Sequence, residues 1–530
     1  MIKKALRKYN SLSVVLRATI WFIFCSTLQK SLAFVTTPLF TRMMTPEHYG
    51  QFNTFHSWSG ILLVLTTLRL NYAVFNKGMS KYKDERDAYT STMQTITFFL
   101  AAVALIIYII FHNQFNKWSE MPTYIMLAMF GQLLFTPAVD FWTIRKRYEY
   151  IYRPVVFRTL LMLLLYTAGG LAAVALTEEK GYARILSEVA TNLAFGIPLF
   201  IYNRKKGKTW FNKEHASFAL RFNLPLLLHH LSLYVLNSFD TIMVQKMVSF
   251  AAAGLYGLAY RAGDAIKVIS NSINSALIPW EYEQLEKKEF KKIDNVIFLS
   301  FVAMAGVSIM FSVCAPELLM LLADNRYQEA IDVIPPVAIS VLFSYMYTSF
   351  ANVELFYENN KFTMYISTAG AVLNVVLNYI GIKLFGFVAA AYTTLICFIL
   401  FAFSHYVYMT HCVRKEFGVK RVFRAGRIVV LSAVVIAFGL LIVLLYDHVI
   451  IRYSILAVIL VAMFLKRKVF LDIIKEVRDD KKQAEKTKKD QKAQLTDADA
   501  EVDPLEQKAS VAEDASKIRT CLRRLTFQDK

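Results

Sequence analysis

Long apolar runs separated by short polar segments recur along almost the whole chain, and this alternation constrains the fold more than any other feature. A helix that crosses a bilayer needs roughly 20 mostly apolar residues, and fourteen such runs can be located. They lie near residues 14–40, 52–75, 91–111, 122–143, 154–176, 182–202, 218–245, 250–280, 294–315, 330–353, 362–381, 384–411, 428–446 and 449–465. The sequence therefore predicts an all-α polytopic membrane protein with fourteen transmembrane helices.

Composition and charge agree with this class. The 530 residues are 56% hydrophobic and 19% charged, whereas soluble domains typically carry about 25% charged residues. The net charge of +20 could indicate nucleic-acid binding, but Lys and Arg are scattered over short loops and do not gather on one face. We therefore expect membrane lipids as partners and no nucleic acid. The five cysteines show no paired spacing, so neither a disulfide framework nor a metal site is expected.

The distribution of basic residues orients the predicted spans. With the N-terminus in the cytoplasm, the cytoplasmic loops contain 29 Lys and Arg residues and the opposite loops contain 7. Cytoplasmic loops of membrane proteins carry an excess of Lys and Arg. The bias therefore predicts fourteen spans with both termini in the cytoplasm.

An internal repeat is visible when the sequence is shifted by 204 positions. The stretch LFTRMMTPEHYGQF (39–52) then lies over MVQKMVSFAAAGLY (243–256), so that Arg42 matches Lys246 and Gly50 matches Gly254. Because six spans separate the two stretches, their orientation in the membrane is the same. The sequence thus predicts two six-helix lobes in a parallel repeat, an arrangement that transporters use to enclose a site near the middle of the bilayer.

The repeat and the charge pattern divide the chain into four parts. We predict an N-terminal lobe at residues 1–217, a C-terminal lobe at 218–412, and an added helix pair at 413–466. Residues 467–530 form a charged tail rich in Lys, Asp, Glu and Gln, for which we predict a disordered cytoplasmic segment.

Several passages identify the chain by resemblance as a member of a transporter family. They are TTPLFTRMMTPEHYGQFNTF (36–55), RFNLPLLLHHLSLYVLNSFDTIMVQKMVSFAAAGLYGLAYRAGD (221–264), DNRYQEAIDVIPPVAIS (324–340) and LNVVLNYIGIKLFGFVAAAYTTLI (373–396). They resemble the Wzx-type O-antigen and exopolysaccharide flippases of the multidrug/oligosaccharidyl-lipid/polysaccharide (MOP) superfamily. The similarity runs from about residue 12 to residue 465.

This resemblance implies a function in the bacterial inner membrane. It implies a flippase that moves undecaprenyl-diphosphate-linked oligosaccharide units by alternating access during surface polysaccharide assembly, with polysaccharide polymerase or export machinery as further partners. No phosphate-binding glycine loop, zinc motif or catalytic constellation is found. We therefore expect no enzyme and no cofactor, and a coupling ion, H⁺ or Na⁺, as one source of energy. A lipid II flippase and a MATE-like cation or drug exporter remain alternatives.

Charged residues inside the predicted spans are the candidate site residues, because such charges are costly in a membrane. Arg261, Asp264, Lys267, Asn271 and Asn274 fall within an arc of about 140° on one helix. By resemblance, spans 1, 2, 7 and 8 line a cavity. We predict a substrate cavity with the residues Lys30, Arg69, Arg261, Lys267, Asn271 and Asn237. The acids Asp240 and Asp264 are candidates for coupling or for the cavity wall, and Arg42 and Lys246 for the outer mouth.

A structural interpretation remains open for two of these charges. Arg261 and Asp264, three residues apart, could pair only to neutralise each other. Outside the candidate set, Arg184 and Glu188 are expected to pair along the sixth span. A drug exporter would instead require a mainly acidic cavity, whereas the deep residues here include four basic and two acidic ones.

Overall fold

A computed structural model describes residues 11–357, 360–418, 422–468, 471–472, 475 and 477–480. Within these residues the protein is helical, with no strand. The helices are α1 (Val14–Met43), α2 (Pro46–Thr67), α3 (Ala73–Lys81), α4 (Arg86–Ile110), α5 (His112–Ser119), α6 (Thr123–Tyr148), α7 (Arg153–Leu176), α8 (Lys180–Gly207), α9 (Lys213–Met247), α10 (Phe250–Glu286), α11 (Phe290–Val313), α12 (Ala315–Leu322), α13 (Ile334–Phe356), α14 (Asn360–Phe385), α15 (Ala389–Phe417), α16 (Ala425–Ile442) and α17 (Val449–Leu465). A 3₁₀ segment, Asn325–Val333, precedes α13, and a short one, Val443–Leu445, follows α16.

A helix occupies each of the predicted spans, and the all-helical membrane fold is confirmed. In the described part of the chain, ten helices are long and apolar enough to cross a membrane. The helices α2, α9 and α10 have 22, 35 and 37 residues but are not among those ten, and α17 has only 17 residues. The count of fourteen spans and the cytoplasmic location of both termini stay predictions, and residues 1–10 and 481–530 lie outside the described residues.

The first and second halves of the bundle use the same helix pairs. In the first half α1 packs on α7, α6 on α8, α7 on α8 and α4 on α6. In the second half α9 packs on α14, α13 on α15, α14 on α15 and α11 on α13, which are the corresponding helices six spans later. The added helices α16 and α17 lie against α11 and α13. The domain boundaries predicted at residues 217 and 412 fall inside α9 and α15.

The two halves touch most closely where α2 crosses α10. A methyl group on Gly50 would lie 1.7 Å from the carbonyl oxygen of Phe250, and one on Gly254 would lie 1.9 Å from the carbonyl oxygen of Pro46. Any side chain at either glycine would therefore collide with the backbone of the other helix. Gly50 and Gly254 are the pair that the offset of 204 positions aligned, so the two repeats meet at corresponding residues.

The same offset relates the helix starts beside this crossing. The Thr45 side chain caps α2 by accepting a bond from the backbone N–H of His48 at 3.3 Å. The Ser249 side chain caps α10 by accepting one from the N–H of Ala252 at 3.1 Å. Such caps satisfy backbone donors that a helix start leaves unpaired. The two central helices thus begin in the same way and at corresponding positions.

Two polar clasps tie the halves together at this end of the bundle. In the first, the Lys246 ammonium of α9 donates to the Glu120 carboxylate at 2.6 Å, across the seam between the halves. In the second, Arg326 donates to the backbone carbonyl of Arg42 at 2.9 Å and is itself paired with Asp324 at 2.6 Å. The bond from Arg326 holds the pKa of Asp324 below its ordinary value, so this clasp keeps its charges at neutral pH. Glu120 and Asp324 are again 204 positions apart.

The glycine crossing predicts a difference between two otherwise similar substitutions. Gly254→Ala should destabilise the protein, because the added methyl has no space, and overpacking typically costs about 1–3 kcal/mol. Gly131→Ala in α6 meets no atom within 4 Å, so only the better helix propensity of Ala, worth up to about 1 kcal/mol, should act there. Thermal unfolding midpoints of the purified variants measure both effects. Equal midpoints for the two variants would contradict the close crossing.

Candidate functional site

A cavity of about 1170 Å³ lies between α1 and α10. Helix α1 contributes the small polar residues Ser26, Thr27 and Ser31 to one wall, which leave room between the helices. The full lining is Phe22, Ile23, Ser26, Thr27, Ser31, Phe34, Val35, Arg147, Arg261, Asp264, Ala265, Lys267, Val268, Asn271, Ser272 and Ser275. The cavity therefore combines apolar side chains with a strip of charged and hydroxyl groups.

The charged strip belongs mainly to α10. The Asp264 carboxylate lies between Arg261, at 3.7 Å, and Lys267, at 3.8 Å, and is about half exposed. Both distances are long for an ion pair, and one carboxylate faces two cations. With Arg147 from the end of α6, the described part of the wall carries three basic groups and one acidic group. The wall is thus positively charged in sum and suited to a ligand with more than one negative charge.

Four of the predicted site residues lie together on this wall: Arg261, Asp264, Lys267 and Asn271. The Arg261–Asp264 pair also forms, as the structural interpretation expected, but Asp264 is shared with Lys267. The residue one turn further, Asn274, leaves the strip because its side chain accepts a bond from Asn352 of α13 at 3.0 Å. For Lys30 only the helix position in α1 is described, and its side chain lies outside the described residues.

Arg69 and Asn237 do not line the cavity. Helix α2 ends at Thr67, and Arg69 follows in a left-handed turn with φ +54°. Its guanidinium lies over the Tyr72 ring at 5.4 Å. The Asn237 amide donates to the carbonyl of Leu233 in its own helix at 2.8 Å. The prediction that Arg69 lies within the second span is wrong, because the helix ends before it.

Asp240 is buried inside the second half, away from the cavity wall. One carboxylate oxygen accepts bonds from the hydroxyls of Tyr256, Tyr260 and Thr394 at 2.8, 3.2 and 2.7 Å. The other accepts a bond from the Asn378 amide at 2.9 Å. All four donors are neutral, and they come from α10, α14 and α15. Asp240 is therefore a carboxylate solvated by the protein, linking α9 to three neighbouring helices.

Arg42 and Lys246 lie at the same end of the bundle, as the repeat predicts, but in different environments. Lys246 is paired with Glu120 in the first clasp, and Arg42 contributes its backbone carbonyl to the second. Both side chains are exposed. Their role at an outer mouth stays a prediction.

Two arginines at or near the cavity were not predicted as site residues. Arg147 was placed in a cytoplasmic loop, but α6 continues to Tyr148 and brings it to the cavity wall. Arg158 of α7 lies near the Asp140 carboxylate, which accepts a bond from Asn71 at 2.9 Å. Arg158 and Asp140 both fall inside predicted spans, so the same search for intramembrane charges could have found them.

The expected pairing of Arg184 with Glu188 is replaced by other contacts. The Arg184 guanidinium is sandwiched between the rings of Phe40 and Phe52, at 3.7 and 3.6 Å from their centroids. Glu188 instead contacts His56 at 3.3 Å. Cation–π contacts of this kind stabilise a desolvated guanidinium, so Arg184 ties α8 to α1 and α2.

A buried acid–base pair in the second half was also missed. Glu354 was expected in a loop after the tenth span, but α13 extends to Phe356. Its carboxylate contacts the His405 imidazole at 3.0 Å, and both side chains are fully buried. No group of three or more His, Cys, Asp or Glu in the described part of the chain could hold a metal ion.

Two halves that pack alike, a basic cavity on their seam and a clasped end define a membrane transporter built on an internal repeat. Comparison with known proteins identifies the family. The profile described as "Polysaccharide biosynthesis protein" matches residues 15–284, a little over half of the chain, and the profile "MatE" matches residues 225–380. The chain belongs to the polysaccharide biosynthesis protein family, and the resemblance to the polysaccharide branch of the MOP superfamily is confirmed.

The chain is similar in sequence to two curated relatives and in fold to solved structures. The chain is 20% identical over 357 residues to "Lsg locus putative protein 1" of Haemophilus influenzae, covering 65% of this chain and 86% of that protein. It is 26% identical over 250 residues to an uncharacterized membrane protein of Methanocaldococcus jannaschii, covering 44% and 59%. The structure of the lipid II flippase MurJ in an inward closed conformation superposes with a TM-score of 0.61 at 13% identity, covering 85% of this chain and 100% of that one. An inward-facing MATE transporter of the MOP superfamily gives 0.55 at 12% identity, covering 73% and 96%.

The environments of the two intramembrane aspartates predict different sensitivities. Asp240→Ala should lower the unfolding midpoint strongly, because it removes the acceptor that four side chains share, and each buried group left unpaired costs roughly 1–3 kcal/mol. Asp264→Ala should change the midpoint little, because partly exposed ion pairs are worth about 0–1 kcal/mol. Thermal unfolding of both purified variants in one detergent checks this. A larger loss in Asp264→Ala would show that the cavity, and not the buried network, supports the fold.

Proposed function

We propose that this protein is a flippase that moves undecaprenyl-diphosphate-linked oligosaccharide units across the bacterial inner membrane by alternating access, for surface polysaccharide assembly. The lipid-linked oligosaccharide is the proposed substrate, and polysaccharide polymerase or export machinery are the proposed partners. The observation that carries the proposal is the excess of basic groups on the cavity wall, where Arg147, Arg261 and Lys267 face a single acid, Asp264.

A diphosphate is the chemical group that such a wall would bind. Guanidinium groups can donate two parallel hydrogen bonds to phosphate oxygens, and an ammonium adds a point charge. Arg261 and Lys267 are two turns apart on α10 and share Asp264, so neither is fully neutralised. An incoming diphosphate could replace the long Asp264 contacts with shorter ones. The hydroxyl and amide groups of Ser272 and Asn271 offer partners for sugar hydroxyls.

The apolar part of the lining suits the rest of such a substrate. Phe22, Ile23 and Val35 of α1 and Val268 of α10 surround the charged strip. A polyprenyl chain needs an apolar path while its head group is held by polar ones. We propose that the chain passes between α1 and α10 into the lipid.

Alternating access requires that the clasped end opens while the cavity end closes. The glycine crossing and the two clasps close one end of the seam in this conformation. By the charge pattern of the loops this is the extracytoplasmic end. The proposed cycle therefore starts with the cavity available from the cytoplasmic leaflet.

Asp240 is the acid that we propose for coupling to an ion, H⁺ or Na⁺. Its carboxylate is buried, receives only neutral donors, and holds together four helices of the second half. Binding a cation there would change the hydrogen bonds that join α9 to α10, α14 and α15. Such a change is a local event that could bias the arrangement of the whole half.

Coupling through Asp240 predicts a loss of ion dependence in one variant. In vesicles, Asp240→Asn should flatten the response of translocation to an imposed Na⁺ or pH gradient, because the amide cannot gain or lose the charge. Asp264→Asn is the matched control and should keep the response. A gradient response unchanged in Asp240→Asn would remove Asp240 from coupling, provided that both proteins reach wild-type levels.

A lipid II flippase is a second candidate, favoured by the same basic wall because lipid II also carries a diphosphate. A MATE-like cation exporter is less well supported, since a cationic substrate would be repelled by this wall.

The decisive experiment measures surface polysaccharide in a deletion strain complemented with wild type, Arg261→Ala or Lys267→Ala. Each variant should reduce surface glycan at least tenfold, while lipid-linked precursor accumulates. The size of the effect assumes that each variant loses one phosphate contact of about 1.4 kcal/mol, which lowers the affinity for substrate tenfold. Protein levels are checked by blot, and Lys383→Ala serves as a control because Lys383 lies outside the cavity lining.

The possible outcomes separate the candidate functions. Rescue of a strain depleted of its lipid II flippase would assign the protein to lipid II. Normal glycan in the deletion strain together with increased sensitivity to cationic drugs would support the exporter. Normal glycan in both variants would show that α10 carries its charges for packing alone.

A further inference from the structure

A second cavity, of about 700 Å³, lies between α3 and the first turns of α9 and shares no lining residue with the substrate cavity. It is lined by Lys81, Tyr82, Lys213, Glu214, Ser217, Phe218, Arg221 and Phe222. Lys81 and Tyr82 belong to the first half of the bundle, whereas the other residues belong to α9. The cavity is therefore built from both halves.

Basic side chains on α3 are held at the edge of this cavity by aromatic rings. Lys81 lies over the rings of Tyr82 and Phe218 at 4.8 and 4.6 Å, and Lys77 lies over Phe222 at 4.9 Å. Lys77 and Lys81 are one helical turn apart, so they share one face of α3. The rings position the ammonium groups without neutralising them.

Helix α9 presents a matching strip. Lys213, Ser217 and Arg221 follow one another at intervals of one turn and line the same cavity. Within the described residues, no ion pair is formed by Lys77, Lys81, Lys213 or Arg221. Glu214 is the only acid in the lining. The cavity thus has cations available on two sides for an anion placed between them.

The position of α3 fits the membrane surface. Val74, Phe75 and Met79 bury the apolar face of this short helix, while Lys77 and Lys81 are exposed. The flanking loops belong to the side that the positive-inside rule assigns to the cytoplasm. Anionic headgroups of the cytoplasmic leaflet attract basic segments at this level.

We propose that this cavity binds the phosphate-ester headgroup of an anionic phospholipid, with Lys81 on α3 and Lys213 and Arg221 on α9 as the groups that hold the phosphate. Tyr82, Phe218 and Phe222 pack against the glycerol and the first methylenes of the acyl chains. This lipid site is separate from the proposed substrate cavity and does not depend on the identity of the transported molecule.

A lipid in this position would bridge the two halves of the protein. It would favour the arrangement in which α3 and the start of α9 are close, as they are here. Only that arrangement brings the basic side chains of both helices to one phosphate. Binding of a ligand to one of two conformations shifts the equilibrium toward it. The lipid would therefore act as a conformational ligand as well as a solvent.

The test uses the full-length protein purified in a neutral detergent and titrated with phosphatidylglycerol, with bound lipid counted by native mass spectrometry. The double variant Lys81→Gln/Arg221→Gln should bind about 25-fold more weakly, from roughly fivefold per lost cation. The control Lys205→Gln/Lys206→Gln removes two exposed basic residues at the end of α8, outside the cavity, and should bind as the wild type does. The charge-retaining variant Arg221→Lys should keep most of the binding.

Three results would overturn the proposal. Equal losses in the double variant and in the control would show diffuse attraction to a basic surface. Phosphatidylcholine bound as tightly as phosphatidylglycerol would show an apolar groove without a phosphate site. Displacement of the lipid by inorganic phosphate at equal concentration would show a site for a free anion. Thermal midpoints of all variants confirm that the exposed substitutions leave the fold intact.

Discussion

The contact of Gly50 with Gly254 is the constraint on which the rest of the structure depends. Two long helices, α2 and α10, can bring their backbones together only where neither carries a side chain. In membranes, where the hydrophobic effect does not drive helix association, such close packing is a main source of attraction between helices. Because both helices start beside this crossing, they are fixed to each other at one end. The opposite ends have more freedom to diverge.

The cavity between α1 and α10 follows from this arrangement, and so does its charge. Arg261, Asp264 and Lys267 lie on α10 beyond the crossing, where the helix faces open space instead of a neighbour. Their partly exposed state explains why three charges can occupy a membrane helix with only long contacts between them. Asp240 is accommodated in a different way, inside the protein and away from the cavity. It is fully buried, and four hydrogen bonds supply what water would otherwise provide.

Much of the fold could be predicted from local patterns. Apolar runs located the helices, and a weak repeat matched Gly50 with Gly254 at the offset of 204 positions. That these two residues form the crossing was known only from the structure. The charged strip of α10 was predicted from helical spacing. Helix ends were harder to predict, because polar residues end an apolar run without ending the helix. Arg147 illustrates this: its basic neighbours suggested a loop, yet α6 includes it.

Side-chain contacts between helices that are far apart in the chain could not be predicted from the sequence. Nothing along α8 indicates that Arg184 lies between two aromatic rings of other helices, and Glu354 meets His405 only because α13 packs on α15. Arg69 shows the reverse error. Its position after an apolar run suggested a helical residue, but the backbone turns left-handed at Leu68 and Arg69 and ends α2.

The energetics of the clasped end are consistent with a protein that changes conformation. The Lys246–Glu120 pair is about 43% and 44% exposed, and the Arg326–Asp324 pair is similarly open. An exposed pair of this kind contributes roughly 0–1 kcal/mol, so the Lys246–Glu120 pair opposes opening by only a small amount. The Arg326–Asp324 pair lies within the second half and need not break, and what opening breaks there is the bond from Arg326 to the Arg42 carbonyl. A ligand can shift a conformational equilibrium by no more than its difference in affinity for the two states. Two buried hydrogen bonds also cross the seam at this end, from the Thr41 hydroxyl to the carbonyl of Leu322 at 2.6 Å and from the Tyr327 hydroxyl to that of Met44 at 3.2 Å. The difference in affinity that drives opening therefore has to offset these bonds and the close crossing more than the exposed pair.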